Sequence, residues 1–218
     1  MTPQRVAALD LELISVHFPK AAGTSLAGLL REIYGNALHL DYDHPPHDPR
    51  EGEPIDRYPI IRAVHGHFHA GRYDAFPSAR RVTFLREPVD NLISIYFFWQ
   101  AMAACGYPAH DRLLNEQPDI VEFSTYPEVR TLASASYFGG VDLRSFDLVG
   151  FYETRSVSIA RLSNLLGAKL DCSIRLNTTE FGGDSRREIL ATPSIMTTLR
   201  ANLSDDIAFY EEARTHWD

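Results

Sequence analysis

The sequence predicts an α/β protein: a single three-layer domain with a central parallel sheet and a P-loop-like strand-turn-helix. Predicted strands alternate with predicted helices, which is typical of a parallel sheet covered by helices. At 218 residues, the length suits one domain, and no linker-like composition divides the chain. Residues 1–218 are therefore predicted to form one domain, with residues 36–59 as an exposed loop insertion.

The first predicted strand-helix pair lies near the start of the chain. Residues 11–18, "LELISVHF", are apolar and bounded by Pro19, as expected of a buried strand. Apolar residues then recur at helical spacing, which predicts a helix capped by Thr24 or Ser25 and ended by Gly35. These apolar residues are Leu26, Leu29, Leu30, Ile33 and Tyr34.

Residues 36–59 separate this pair from the next predicted strand. They are rich in proline, aspartate and histidine, which is typical of an exposed loop. Their histidines and aspartates lack the spacing of a structural metal site, so no metal is predicted there.

Further elements follow in strand-helix order. Residues 60–66 and 80–86 are predicted strands, and Pro88 begins a long apolar helix because proline is favoured in a first helical turn. Its aromatic run at 96–99 is expected to pack in the core. Residues 101–145 give no readable periodicity.

The last third of the chain repeats the pattern. "FDLVGFYE", residues 146–153, is a predicted strand. Residues 155–166 are a predicted helix ended by Gly167, and helix closes the chain.

Composition limits the classes of function. A net charge of −8 disfavours nucleic acid or an anionic membrane as the main partner. No stretch reaches the roughly 20 apolar residues of a membrane span, and Asp10 and Glu12 interrupt any signal-peptide pattern. The two cysteines, Cys105 and Cys172, form no disulfide framework, so we expect a cytoplasmic protein.

One of only two lysines, Lys20, stands at the first strand-to-helix turn, "PKAAGTSL". A helix N-terminus exposes unpaired N–H groups and favours an anion. Small residues admit a phosphate, the hydroxyls can donate, and the lysine adds positive charge. The turn is therefore a predicted 5′-phosphate cradle, formed by Pro19, Lys20, Ala22, Gly23, Thr24 and Ser25. It is not a Walker motif, because the lysine precedes the glycine.

These residues carry a family resemblance. "HFPKAAGTSL" resembles the 5′-phosphosulfate-binding turn of the sulfotransferase superfamily. "RRVTFLREPVDNLISIYFF" resembles the 3′-phosphate-binding element of that family, which assigns this role to Arg86 and Ser94. Glu87 stands where the family typically has aspartate.

Two further segments extend the resemblance. "VHGHF" is similar to the His-Gly-His of the uronyl 2-O-sulfotransferase branch, which makes His67 the candidate base. His65 would orient His67 or contact the acceptor, and Gly66 would let the backbone approach substrate. "RLNTTE" resembles a later block near the 3′-phosphate, through Arg175, Thr178 and Thr179.

The resemblance implies a sulfotransferase fold and a defined reaction. The donor would be 3′-phosphoadenosine 5′-phosphosulfate, and the acceptor a hydroxyl, with a carbohydrate favoured and no metal needed. In-line sulfuryl transfer is analogous to phosphoryl transfer, where positioning and charge stabilisation supply most of the rate. Lys20 would stabilise the leaving oxygen, and a histidine titrates in the range suited to a base.

Other interpretations remain open from sequence. The chain could be a nucleotide-dependent kinase, or a non-catalytic module that binds adenosine bisphosphate. Arg86 could be a salt-bridged arginine, Ser94 a helix-face serine and His67 a packed histidine. A neutral saccharide, a lipid-linked sugar and a small alcohol all remain possible acceptors, and the oligomeric state is not predicted.

Overall fold

The computed structural model describes residues 11–21, 23–42, 61–170 and 182–218. Within these ranges the strands form one sheet in the order β2-β3-β1-β4-β5, and each strand runs parallel to its neighbours. The strands are β1 (Leu13–Val16), β2 (Leu38–Asp41), β3 (Ala63–Gly66), β4 (Arg80–Leu85) and β5 (Leu148–Phe151).

Three strands of the sheet are buried on both faces. Every residue of β1, β3 and β5 is buried, as expected of parallel strands covered by helices. Val16, at the end of β1, pairs with Gly66 of β3 and with Thr83 of β4. The carboxyl ends of the three central strands therefore meet at one edge of the sheet.

Within the described ranges, α-helices follow β1, β4 and β5. α1 begins at Gly23 and α2 at Pro88, while α1 and α6 end at glycines in the left-handed region, Gly35 (φ +53°) and Gly167 (φ +62°). The helices are α1 (Gly23–Tyr34), α2 (Pro88–Gln100), α3 (Pro108–Glu116), α4 (Ile120–Phe123), α5 (Pro127–Arg130), α6 (Arg155–Leu166), α7 (Gly183–Ala191), α8 (Pro193–Asn202) and α9 (Ser204–Trp217).

The predicted fold class is confirmed. A parallel sheet is flanked by helices, and β1, a short turn and α1 make the P-loop-like strand-turn-helix. The predicted cap of α1 is wrong, because the helix already begins at Gly23 and places residues 24 and 25 inside its first turn. Within the described ranges, no helix is both long and apolar enough to cross a membrane.

The prediction of an exposed loop over 36–59 is wrong at its start. Residues 38–41 are the edge strand β2, which pairs with β3. Asp41 is buried, and its charge is compensated there. Its carboxylate accepts a hydrogen bond from the Tyr73 hydroxyl (2.5 Å) and pairs with Nε of Arg72 (2.9 Å). The polar side chains of this strand made its sequence resemble a loop, although the hydrogen-bonding partners of Asp41 lie inside the fold. Residues 43–60 lie outside the described residues.

The middle of the chain, 101–145, contains short helices and a π-helical segment at Leu132–Tyr137. Its aromatic residues Phe123, Tyr126, Tyr137 and Phe138 are fully buried. Short elements of this kind give no long apolar period, which is why the sequence was not readable here.

Candidate active site

Three predicted site segments meet at the carboxyl edge of the sheet. Lys20 follows β1, His67 follows β3, and Arg86 follows β4. Because β1 pairs with both of the other strands, the three segments are neighbours in space. The crevice outside the carboxyl ends of parallel strands is the usual ligand site of open α/β sheets.

The turn after β1 is held by two side chains, one just after β4 and one on α2. The Pro19 carbonyl accepts a hydrogen bond from Nδ2 of Asn91 (2.7 Å), and the Lys20 carbonyl accepts one from Nη1 of Arg86 (3.0 Å). Lys20 itself has a φ of +58°. A left-handed backbone costs a non-glycine residue roughly 1–2 kcal/mol, so these two bonds stabilise a conformation that the residue does not favour.

The Lys20 ammonium is partly withdrawn from water. Its Nζ lies 3.9 Å from the centroid of the Phe98 ring, a cation–π contact. Burial, and then the neighbouring charge of Arg86, lower the pKa of Lys20 below its usual value. Burial and a neighbouring positive charge both disfavour the charged form of the ammonium, and a bound anion would favour it.

Arg86 is an ion-paired arginine with little exposure to water. Its side chain is 8% exposed, and it reaches Oδ2 of Asp90 through Nε (2.7 Å) and Nη2 (2.5 Å). Its guanidinium carbon lies 4.2 Å from the centroid of the Tyr152 ring. Arg86 is therefore salt-bridged, as one interpretation of the sequence expected. It also lies beside the turn after β1.

A second arginine shares the same carboxylate. Arg186, on α7, forms an ion pair with Oδ1 of Asp90 and is 11% exposed. Two guanidinium groups therefore hold one carboxylate between them, in the way that arginines bind a bidentate oxyanion. Lys20 adjoins this group, since its backbone carbonyl accepts a hydrogen bond from Arg86.

Ser94 lies on the side of α2 that carries these contacts. Asp90, Ser94 and Phe98 recur every four residues in the helix, which places them on one face. Asp90 contacts Arg86, and Phe98 contacts Lys20. Ser94 is partly buried and lies one turn from each of them.

Glu87, the departure from the family pattern, has a structural role. It is the N-cap of α2, and its carboxylate accepts the backbone N–H of Asp90 at 2.8 Å. Burial raises the pKa of the Glu87 carboxyl. A glutamate therefore performs the capping that a shorter acidic residue also performs.

His67 has a defined tautomer. Its Nδ1 lies 2.8 Å from the backbone carbonyl of His17 and 3.1 Å from the Tyr137 hydroxyl. A carbonyl can only accept, so Nδ1 carries the proton and Nε2 carries the lone pair. Burial raises the pKa of Tyr137 well above its usual range, which keeps that hydroxyl neutral.

The histidines form a stack. The ring centroid of His17 lies 4.1 Å from that of His67 and 5.1 Å from that of His65. His65 is fully buried inside β3, with Nδ1 2.9 Å from Oγ of Ser15. Its burial argues for packing and orientation and against direct contact with an acceptor. His69 receives the N–H of Gly71 and lies 3.1 Å from the Gly139 carbonyl.

Gly66 has a packing role between β2 and β3. A Cβ atom at this position would lie 1.4 Å from the backbone oxygen of Asp41. The glycine therefore allows β2 to approach β3 closely. The expectation that it also brings the backbone near substrate stays a prediction.

Several predicted cofactor residues cannot be placed. Ala22, Arg175, Thr178 and Thr179 lie outside the described residues. For Gly23, Thr24 and Ser25 the structure gives the backbone only, in the first turn of α1.

Sequence reasoning missed the supporting residues of the site. His17, Asn91, Asp90 and Arg186 make the contacts that fix the turn, the arginine and the histidine. One signal was available: the four-residue spacing of Asp90, Ser94 and Phe98 along a predicted helix. Arg186, 100 residues from Arg86 in the chain, gives no such signal.

Comparisons with known proteins give only distant structural similarity. No protein-family model matches the chain, and no curated protein sequence matches it. The structure is similar to mouse sulfotransferase SULT7A1 in complex with PAP, with 15% identity, a TM-score of 0.42, and coverage of 74% of this chain and 61% of that one. It is also similar to a sulfotransferase from Alicyclobacillus acidocaldarius, with 15% identity, a TM-score of 0.44, and coverage of 95% and 96%. At this distance the similarities establish neither a common activity nor a common ligand.

Proposed function

We propose that this chain is a sulfotransferase that uses 3′-phosphoadenosine 5′-phosphosulfate to sulfate a hydroxyl acceptor. One observation supports the proposal above the others. The two motifs that resemble the donor-binding elements of the family touch each other, through the 3.0 Å hydrogen bond from Nη1 of Arg86 to the Lys20 carbonyl. The hydrogen bond places the two motifs side by side at the carboxyl edge of the sheet, where one donor molecule could contact both.

The charges around the turn fit such a donor. The donor has two anionic ends, a 5′-phosphosulfate and a 3′-phosphate. Lys20 and the N-terminus of α1 offer positive charge to the first. Arg86 and Arg186, which already hold the Asp90 carboxylate, offer bidentate donors to the second, with Ser94 on the adjoining helix face.

In this proposal the bound donor supplies the sulfuryl group, whose bond to the 5′-phosphate oxygen breaks as a bond to the acceptor oxygen forms. Lys20 and the N–H groups of α1 stabilise the charge that develops on the leaving oxygen, which lowers the barrier because that charge is larger in the transition state. Nε2 of His67 takes the proton of the acceptor hydroxyl. His17 and Tyr137 hold the His67 ring for that transfer.

A carbohydrate is the acceptor that we favour, because "VHGHF" resembles the branch that sulfates uronyl sugars. The net charge of −8 opposes a polyanionic glycan. A neutral saccharide, a lipid-linked sugar or a small alcohol is therefore the better match within the hydroxyl class. A cytoplasmic location stays a prediction.

Calorimetry with nucleotides tests the proposal. Adenosine 3′,5′-bisphosphate should bind more tightly than ATP, and labelled donor should transfer its sulfuryl group to a hydroxyl compound. Tighter binding of ATP would favour a kinase, and binding without transfer to any hydroxyl acceptor would favour a non-catalytic module.

Arg86→Ala sharpens the same measurement. It should weaken adenosine 3′,5′-bisphosphate at least about tenfold more than it weakens adenosine 5′-monophosphate, because charge-assisted bonds to the 3′-phosphate are lost, whereas loss of the bond to the Lys20 carbonyl affects both nucleotides. Arg81→Ala is the matched control: Arg81 is an ion-paired arginine at the other end of the same strand. Equal weakening of both nucleotides by Arg86→Ala would place the 3′-phosphate elsewhere.

A further inference from the structure

A second cluster of chemically active side chains lies between α2 and the first turn of α3. It contains Cys105, His110 and Asp111, and one ligand atom of each lies within 4.8 Å of the others. None of these residues belongs to the proposed donor site.

His110 is oriented by its distal nitrogen. The side chain is buried, at 1% exposure, and Nε2 lies 2.9 Å from the backbone carbonyl of Trp99. The carbonyl fixes the proton on Nε2, so Nδ1 carries the lone pair. That nitrogen lies 3.3 Å from Sγ of Cys105. A histidine anchored through one nitrogen to a carbonyl is the usual arrangement of a metal-binding imidazole.

Asp111 is oriented in a similar way. Its Oδ1 accepts the backbone N–H groups of Cys105 (3.2 Å) and Gly106 (3.3 Å). Gly106 has a φ of +82°, a conformation that glycine adopts without strain and that folds the loop back onto the carboxylate. These hydrogen bonds close the loop and bring its sulfur, nitrogen and oxygen ligand atoms within 4.8 Å of one another.

We propose that Cys105 Sγ, His110 Nδ1 and an Asp111 carboxylate oxygen bind a transition-metal ion of the zinc class. Zinc–sulfur and zinc–nitrogen distances in tetrahedral sites separate the two ligand atoms by about 3.6 Å, close to the 3.3 Å found here. Thiolate and imidazole select zinc-class ions over Mg²⁺ and Ca²⁺, which prefer oxygen. Cys105 is exposed, which gives the ion access and leaves a fourth position for water.

Titration of the chelator-treated, reduced protein with Zn²⁺ tests this site. We expect one ion per chain, and Co²⁺ in its place should give a thiolate-to-cobalt charge-transfer band. Cys105→Ser should weaken Zn²⁺ at least about 100-fold and abolish the band, since loss of an outer-sphere partner alone costs 10–100-fold. Asp111→Asn should weaken binding while keeping the band. Cys172→Ser is the matched cysteine control and should bind as wild type.

Alkylation gives a second readout that needs no change of sequence. Zn²⁺ should slow the reaction of iodoacetamide with Cys105, followed by mass spectrometry of the peptide that contains it. Three results would overturn the proposal: no uptake of Zn²⁺, uptake that survives Cys105→Ser, or alkylation of Cys105 at an unchanged rate. The last result would leave a histidine-paired thiol without a metal.

Discussion

Lys20 combines a left-handed backbone with a partly desolvated ammonium, and both cost free energy in the folded protein. Such costs are retained where the surrounding structure fixes them, and they concentrate at functional sites. Here the fixing contacts are Asn91 to the Pro19 carbonyl and Arg86 to the Lys20 carbonyl. A bound anion would favour the charged form of this ammonium, which burial disfavours.

Lys20→Ala should therefore lower kcat of sulfuryl transfer more than it weakens donor binding, because the contact strengthens as the leaving oxygen becomes charged. Steady-state kinetics with the donor varied would measure this. Lys20→Gly is the useful companion, since glycine adopts a positive φ without strain. It should unfold at higher denaturant than Lys20→Ala while showing the same loss of kcat. A raised KM with unchanged kcat would restrict Lys20 to ground-state binding.

His67→Ala should reduce kcat by roughly 10²–10⁴-fold, the range for loss of a general base. Donor affinity should stay near wild type. A histidine base loses its function when it is protonated, so the acidic limb of the pH profile of kcat should disappear in the variant. His65→Ala, at the buried position of the stack, should keep that limb. The reverse pattern would exchange the two assignments, and retention of the limb in both variants would point to another base.

The positions of Lys20, Arg86 and His67, each just after a strand, were predictable from the sequence, and their roles stay predictions. Their hydrogen-bonding partners were not predictable. The carbonyl of His17 that orients His67 is a backbone atom, which no residue type marks in a sequence. The carboxylate of Asp90 pairs with Arg186 across the fold, and such a contact depends on how α7 packs.

At the scale of elements, α2 connects the parts of the site. Its N-terminal residues hold the turn after β1, and Phe98 two turns later supports the Lys20 ammonium. Pro88 marked the start of this helix in the sequence. β2, "LHLD", was not predicted from the sequence because apolar and polar residues alternate in it and the polar ones resemble those of a loop. In the fold, Asp41 is paired with Arg72 and Tyr73.

The contact between β2 and β3 predicts a large effect on stability at one glycine. Gly66→Ala would put a Cβ atom against the backbone of Asp41, so β2 must move, and we expect a loss of at least about 1–3 kcal/mol. Gly28→Ala is the control: it lies in α1 with nothing within 4 Å of a new Cβ. There alanine should stabilise by about 0.5–1 kcal/mol. Urea unfolding would measure both, and equal effects would contradict the packing argument.

For the whole molecule, a net charge of −8 contrasts with the local cluster of Lys20, Arg86 and Arg186. The fold class followed from the alternation of predicted strands and helices, since parallel strands need long crossover connections, which are usually helical. The order of strands did not, because a mixture of local periodicities does not specify which strands become neighbours.

Transfer activity should survive exhaustive treatment with EDTA. In the proposed reaction, lysine, arginine and the N-terminus of α1 supply the positive charge that a metal supplies in many phosphoryl transferases. The same treated sample should be checked for loss of any ion bound at Cys105. Full activity after that loss would show that the metal site and the transfer site act independently. Activity that disappears and returns with Mg²⁺ would instead favour the kinase interpretation.

The shared carboxylate of Asp90 has a consequence for the thermodynamics of donor binding. Two guanidinium groups that would otherwise repel each other are kept together by a counterion built into the chain. An incoming 3′-phosphate would thus replace the Asp90 carboxylate as the anion bound by the two guanidinium groups, which are already arranged for oxygen ligands. Fewer solution ions would then be released on binding than the number of cations suggests. The affinity for adenosine 3′,5′-bisphosphate should accordingly depend only weakly on ionic strength, and Asp90→Asn should make that dependence steeper.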